Sequence, residues 1–182
     1  MQIVLLRGIN VGGHNKLPMA DFKDILTELG ARDVQTYIQS GNAVMQGDIT
    51  AVAISDVIEK SKGFRPQVMV LPLRIFTQIA NACPFPTDDG KALHIWFLLD
   101  KPDFDTAKAD ALAIPSESYL VTDQAVYLQP PVTGTPCASC WTWQTPDTGL
   151  CAAHDKNNRS RPLPFHPLCG PVSYTRSFAE LM

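Results

Sequence analysis

The stretch Gln2-Ile3-Val4-Leu5-Leu6-Arg7-Gly8-Ile9-Asn10-Val11-Gly12-Gly13-His14-Asn15-Lys16-Leu17-Pro18-Met19 decides how the rest of the chain is read. Gln2 to Leu6 is a short apolar run closed by Arg7-Gly8, the pattern of a buried strand. Gly8 to Leu17, rich in glycine and asparagine, predicts a loop. Pro18 stands where a helix begins, because its fixed φ suits the first turn and its missing N–H is not needed there. Met19, Phe22, Ile25, Leu26 and Leu29 then recur at three- and four-residue steps until Gly30, which predicts an amphipathic helix.

Outward from this unit, Val34 to Gln39 and Ala43 to Gln46 flank Ser40-Gly41-Asn42, a turn between two strands. Ala51 to Lys62 turns Ile54, Val57 and Ile58 to one side and stops at Gly63, and Gln67 to Leu71 is a further strand. The order β-α-β-β-α-β is the split βαβ pattern of a ferredoxin-like unit. A second α+β unit follows in outline. Leu73 to Ala82 predicts a helix that Cys83-Pro84-Phe85-Pro86 terminates. Ala92 to Leu99 predicts a strand, Phe104 to Leu112 a short helix, and Tyr119 to Val121 with Ala125 to Leu128 a hairpin. Its closing helix and strand are missing from the pattern. The expected fold is α+β, a tandem of ferredoxin-like units with the second incomplete, divided at about 1–71, 72–130 and an atypical tail, 131–182.

The whole chain has 182 residues, 45% of them apolar and 18% charged, with 15 Lys plus Arg against 18 Asp plus Glu. A net charge of −3 argues against wrapping duplex nucleic acid. No apolar run approaches the roughly 18–20 residues of a membrane span, and no secretory signal is visible, so a cytosolic protein with no membrane partner is expected.

The Gly-rich loop lies between a strand and a helix N-terminus, where glycines free backbone N–H groups and the helix start adds partial positive charge. Arg7 and Lys16 offer full charges, and Asn10, Gly12 and Gly13 complete a candidate anion site. The loop is neither a Walker A sequence, which needs Ser or Thr after the lysine, nor Gly-x-Gly-x-x-Gly. Alternation places Tyr37 and Gln39 on one sheet face, where an aromatic beside an amide could stack a ring, and Asn42 closes the turn. The same residues read without a ligand as turn chemistry and ordinary β propensity. Candidate ligand residues are therefore Arg7, Asn10, Gly12, Gly13, Lys16, Gln39 and Asn42, for a phosphorylated or nucleotide-like molecule. An enzyme acting on a small anionic substrate at the same cleft, or a structural interaction module, are the alternatives. No catalytic triad is visible.

These two polar stretches carry a resemblance. Leu5 to Gly13, Lys16-Leu17-Pro18-Met19 and Thr36-Tyr37-Ile38-Gln39-Ser40-Gly41-Asn42 resemble the signatures of the bacterial family called domain of unknown function 1697. The similarity runs through Cys83-Pro84-Phe85-Pro86, the His94 strand and Val126-Tyr127-Leu128, over about residues 1–130. The resemblance implies a tandem pair of small α+β, ferredoxin-like units and attaches no chemistry to them.

Beyond Pro131 the resemblance stops. Four of the 5 cysteines (Cys137, Cys140, Cys151, Cys169) and eight of the 15 prolines lie after residue 129. Members of the family go on with a Gly-Ile-Gly-Arg-Ser-Lys-Leu-like helix that is not found here, so either a shifted reading frame or a replacement segment accounts for the tail. Cys137, Cys140, Cys151 and His154 have a spacing able to offer sulfur and nitrogen to Zn²⁺, although such spacing also arises without a metal. With many prolines and few aliphatics, residues 131–175 are expected to be largely irregular. Apolar surface on the 92–99 or 125–128 strand would then stay uncovered and favour self-association.

Overall fold

The computed structural model describes residues 1–10, 12–37, 39–86, 93–101 and 118–129, together with the backbone of 152–154, 160–162 and 171–173. The chain divides into two units, the first containing Met1–Ala82 and the second beginning at Cys83.

In the first unit β1 (Gln2–Arg7), α1 (Met19–Glu28), β2 (Arg32–Tyr37), β3 (Asn42–Gln46), α2 (Ala51–Lys62) and β4 (Gln67–Pro72) follow one another, and α3 (Leu73–Asn81) comes directly after. The strands form an antiparallel sheet in the order β2-β3-β1-β4. Alternation along the strands sends Val4, Leu6, Val34, Ala43, Met45 and Val68 to one face, where they pack with Phe22, Ile25 and Leu26 of α1 and Ile54 and Ile58 of α2. Ile3, Leu5, Val44 and Met69 occupy the other face and are equally buried.

Local chemistry fixes the helix ends. The Thr50 hydroxyl accepts a hydrogen bond from the Ala53 N–H at 3.2 Å to cap α2, and Gly63 ends the helix at φ +77°. Pro18 is the residue before α1 rather than inside it. Strand β2 starts earlier than the apolar pattern indicates. Arg32 faces Gln46 and Gln35 faces Val44, so a bulge lies between them, with Asp33 at φ +51°. The sequence reading ended the first unit at residue 71, yet α3 stays with it. The Leu73 N–H donates to the Met1 carbonyl at 3.1 Å, and the helix lies against β4 and β1.

The second unit has β5 (His94–Phe97), β6 (Ser118–Val121), β7 (Ala125–Gln129), β8 (Ala152–His154), β9 (Ser160–Pro162) and β10 (Pro171–Ser173). β10, β5, β7 and β6 form an antiparallel sheet in that order, and β8 pairs with β9. The β6–β7 turn is closed by Thr122, whose hydroxyl accepts from the Ala125 N–H at 3.0 Å while its own N–H donates to the Ala125 carbonyl at 2.8 Å. The helix expected over 104–112 lies outside the described residues.

Most of residues 131–175, expected to be largely irregular, lies outside the described residues, but the tail supplies three short strands, and β10 occupies the edge of β5, with Val172 opposite Ile95. The strands expected to be exposed are covered: Ile95, Trp96 and Phe97 are at most 2% exposed and Ala125 to Leu128 at most 3%. Residues 95–97 and 125–128 therefore offer no bare apolar surface for self-association.

Candidate functional site

The C-terminal end of β1 and the connection from Gly8 to Pro18 bring most of the sequence candidates together. Among the described residues of this connection, five have positive φ: Gly8 (+73°), Asn10 (+55°), Gly12 (+60°), Gly13 (+82°) and Asn15 (+49°). Asparagine tolerates that region because its short amide bonds locally. The Asn10 N–H donates to the Asn15 carbonyl at 3.1 Å, and Asn15 Nδ2 donates to the Gly8 carbonyl at 2.9 Å. Ile9 and Leu17 are buried at either end, whereas residues 12–16 are all exposed.

The Asn10 side chain reaches further. Its Nδ2 donates to the carbonyls of Leu17 and Gln39, both at 2.8 Å, and its Oδ1 accepts from the Leu17 N–H at 2.8 Å. Both carbonyls share one nitrogen, so the end of the first polar stretch and the start of the β2–β3 turn are neighbours. Gly41 completes the join. Its carbonyl accepts from the Leu6 N–H at 3.0 Å, and a Cβ at Gly41 would lie 2.6 Å from Ile9 Cδ1 and 2.7 Å from Leu6 Cβ. Sequence spacing gave no reason to place the turn beside the loop. The two stretches that carried the resemblance meet at one end of the sheet.

This packing changes what several candidates can do. The Asn10 amide is occupied inside the loop, so it builds the site rather than reaching out of it. Asn42 is 3% exposed and donates to the Ser40 hydroxyl at 2.9 Å, which likewise takes it from an outward-facing set. Arg7, half-buried, donates through Nη1 to Gln67 Oε1 at 2.9 Å across the β1–β4 ladder, a partner the sequence did not suggest. Lys16, Gly12, Gly13 and Gln39 remain exposed. No side-chain bond caps α1, and its first turn carries Asp21, which pairs with Lys62 of α2. The carboxylate already answers part of the helix's positive end.

Among the described residues of the second unit, the titratable groups shifted by their surroundings include His94, Cys83 and Tyr127. Burial holds the His94 imidazole below its ordinary range, and its ring stacks on Trp96 with centroids 6.1 Å apart. Burial pushes the Cys83 thiol up, partly offset by its contact with the Phe85 carbonyl, so it rests as the less nucleophilic thiol. Tyr127 is raised by burial and then by Cys83. Among the described residues no cluster of His, Cys, Asp and Glu is arranged to hold a metal ion. The side chains of Cys137, Cys140, Cys151 and His154 lie outside that set. No helix among the described residues is long and apolar enough to cross a membrane.

Comparison with curated proteins gives no match. Among solved structures, a conserved bacterial protein, SP0830 from Streptococcus pneumoniae, is similar, with a TM-score of 0.55 and 26% identity over 71% of this chain and 76% of that one. The family model described as "protein of unknown function (DUF1697)" matches residues 1–127, a span that contains both polar stretches, the β5 and β6 strands and the start of β7. The chain belongs to the DUF1697 family.

Proposed function

We propose that the exposed part of the β1–α1 connection binds a phosphorylated or nucleotide-like ligand in the cytoplasm. Gly12 and Gly13 offer backbone N–H groups, Lys16 and Arg7 supply charge, and Gln39 flanks them from the adjoining turn. Asn10 and Asn42 serve as scaffold. The carrying observation is a connection with five positive-φ residues, held by asparagine amides while residues 12–16 stand in solvent. Such backbone persists where surrounding bonds over-determine it, a condition common at ligand clamps. The scaffold around it we read as ferredoxin-like, since β-α-β-β-α-β connectivity with order β2-β3-β1-β4 is the arrangement of the split βαβ unit.

The test is calorimetric titration of the full chain with inorganic phosphate and with a nucleoside monophosphate, repeated for Lys16→Ala and Arg7→Ala. A charge-assisted hydrogen bond contributes about 1.5–3 kcal/mol, so each substitution should weaken binding by roughly 10- to 100-fold. Affinities unchanged in both variants, or no heat from either ligand with the unsubstituted chain, would refute the assignment.

A further inference from the structure

We infer that the β1–α1 connection and the β2–β3 turn form one opening unit, latched by the Asn10 carboxamide. This latch acts in the ligand-free chain. One planar group makes three bonds of 2.8 Å, two to the connection through the Leu17 N–H and carbonyl and one to the turn through the Gln39 carbonyl. A single rotation of that side chain breaks all three. Neither segment can swing away while the amide holds both.

The burial pattern says what moves and what stays. Ile9 and Leu17 are 3% and 0% exposed and act as fixed posts, and residues 12–16 between them are exposed. Glycines at 8, 12 and 13, all at positive φ, supply backbone freedom near the first post and in the middle of the span. On the turn side, residues 39 and 40 are also exposed, and the Gly41 carbonyl is joined to β1 through the Leu6 N–H. Gly41 packs on Ile9 and Leu6, but residues 12–16, 39 and 40 are exposed, so hydrogen bonds dominate the stability of these outer residues, the condition under which a segment opens below the global unfolding free energy. The latch therefore lets go as a unit: when Asn10 turns out, the connection lifts from Leu17 and the turn loses its tie at Gln39 together.

Three amides report on this motion: Asn10 and Leu17 for the connection, and Leu6 for the turn. Native-state hydrogen exchange by NMR on the full chain, in a series of low urea concentrations, should give the three a common opening free energy and a common urea slope. Asn10→Asp keeps an acceptor for the Leu17 N–H, removes both donors, and sets a carboxylate against two carbonyl oxygens. Exchange at Leu6 should then quicken roughly 10-fold along with that at Leu17, as expected for the loss of bonds contributing about 0.5–1.5 kcal/mol each. Faster exchange at Asn10 and Leu17 with Leu6 unchanged would show that Asn10 is a local cap and overturn the inference. Separate opening free energies for the three amides in the unsubstituted chain would overturn it as well, and that measurement needs no variant to fold. The readout requires no ligand, so it stands apart from the phosphate titrations.

Discussion

Replacing Gly41 by alanine puts the meeting of the two polar stretches to a quantitative test. Gly41 has φ +83°, a region that costs an L-residue about 1–2 kcal/mol. The new Cβ would also lie 2.6 Å from Ile9 Cδ1 and 2.7 Å from Leu6 Cβ. The isoleucine methyl can rotate away. Leu6 Cβ cannot, because it is fixed to the backbone of β1 at the centre of the sheet, so the strand or the turn must shift, at an overpacking cost of about 1–3 kcal/mol. The total is about 2–5 kcal/mol. Gly13 is a built-in control, with φ +82° and nothing within 4 Å of an added Cβ, so Gly13→Ala should cost only the conformational part, about 1–2 kcal/mol. Urea unfolding followed by far-ultraviolet circular dichroism separates the two. With an m-value of about 1–3 kcal/mol per molar, Gly41→Ala should lower the midpoint by about 1–2 M and Gly13→Ala by distinctly less. Equal losses would mean that no close approach to Leu6 exists, and the site would lose its second wall.

Removing the α2 cap with Thr50→Ala should cost about 1 kcal/mol, and a variant as stable as the parent in urea would refute the capping role. Ser55→Ala strips the buried Pro66 carbonyl of a donor at 3.0 Å, for an expected loss of about 1–3 kcal/mol by the same method. The His94 imidazole titrates below its ordinary value in the fold, so the unfolded chain takes up its proton first on acidification. Stability should therefore fall as pH drops from the ordinary histidine range through the folded value, and the loss from this group should be complete below it. His94→Gln should flatten the dependence of the urea midpoint between about pH 7 and 5, and an unaltered slope would remove His94 from the account.

Much of the first unit was legible because short-range chemistry specifies it. Gly63 ends α2 at the residue expected, and the step of Phe22, Ile25 and Leu26 names the buried side of α1. The β2 start was misplaced because a bulge at Asp33 breaks the alternation on which the reading depended. The role of Asn10 was hidden for a different reason. Its partner Gln39 is 29 positions away, and no local pattern reveals that two loops will share one amide. Gly41 looked like ordinary turn chemistry, and only the tertiary approach of Leu6 and Ile9 shows why a side chain has no room there. The coverage of β5 also escaped the sequence, since a three-residue strand such as Pro171–Ser173 is too short to leave a period and contains a proline that reads as a breaker.

The Asp33 bulge has a consequence for how the molecule behaves when crowded. Strand β2 is an outer strand of the first sheet, and an outer strand presents a free row of N–H and C=O groups that another chain can copy. Here the row is interrupted between Arg32 and Gln35, and the exposed residues at the break, Arg32 and Asp33, carry opposite charges. An incoming strand would lose register within a few residues and would have to desolvate both charges. The irregularity that spoiled the sequence pattern thus acts as a guard against fibrillar stacking along this edge.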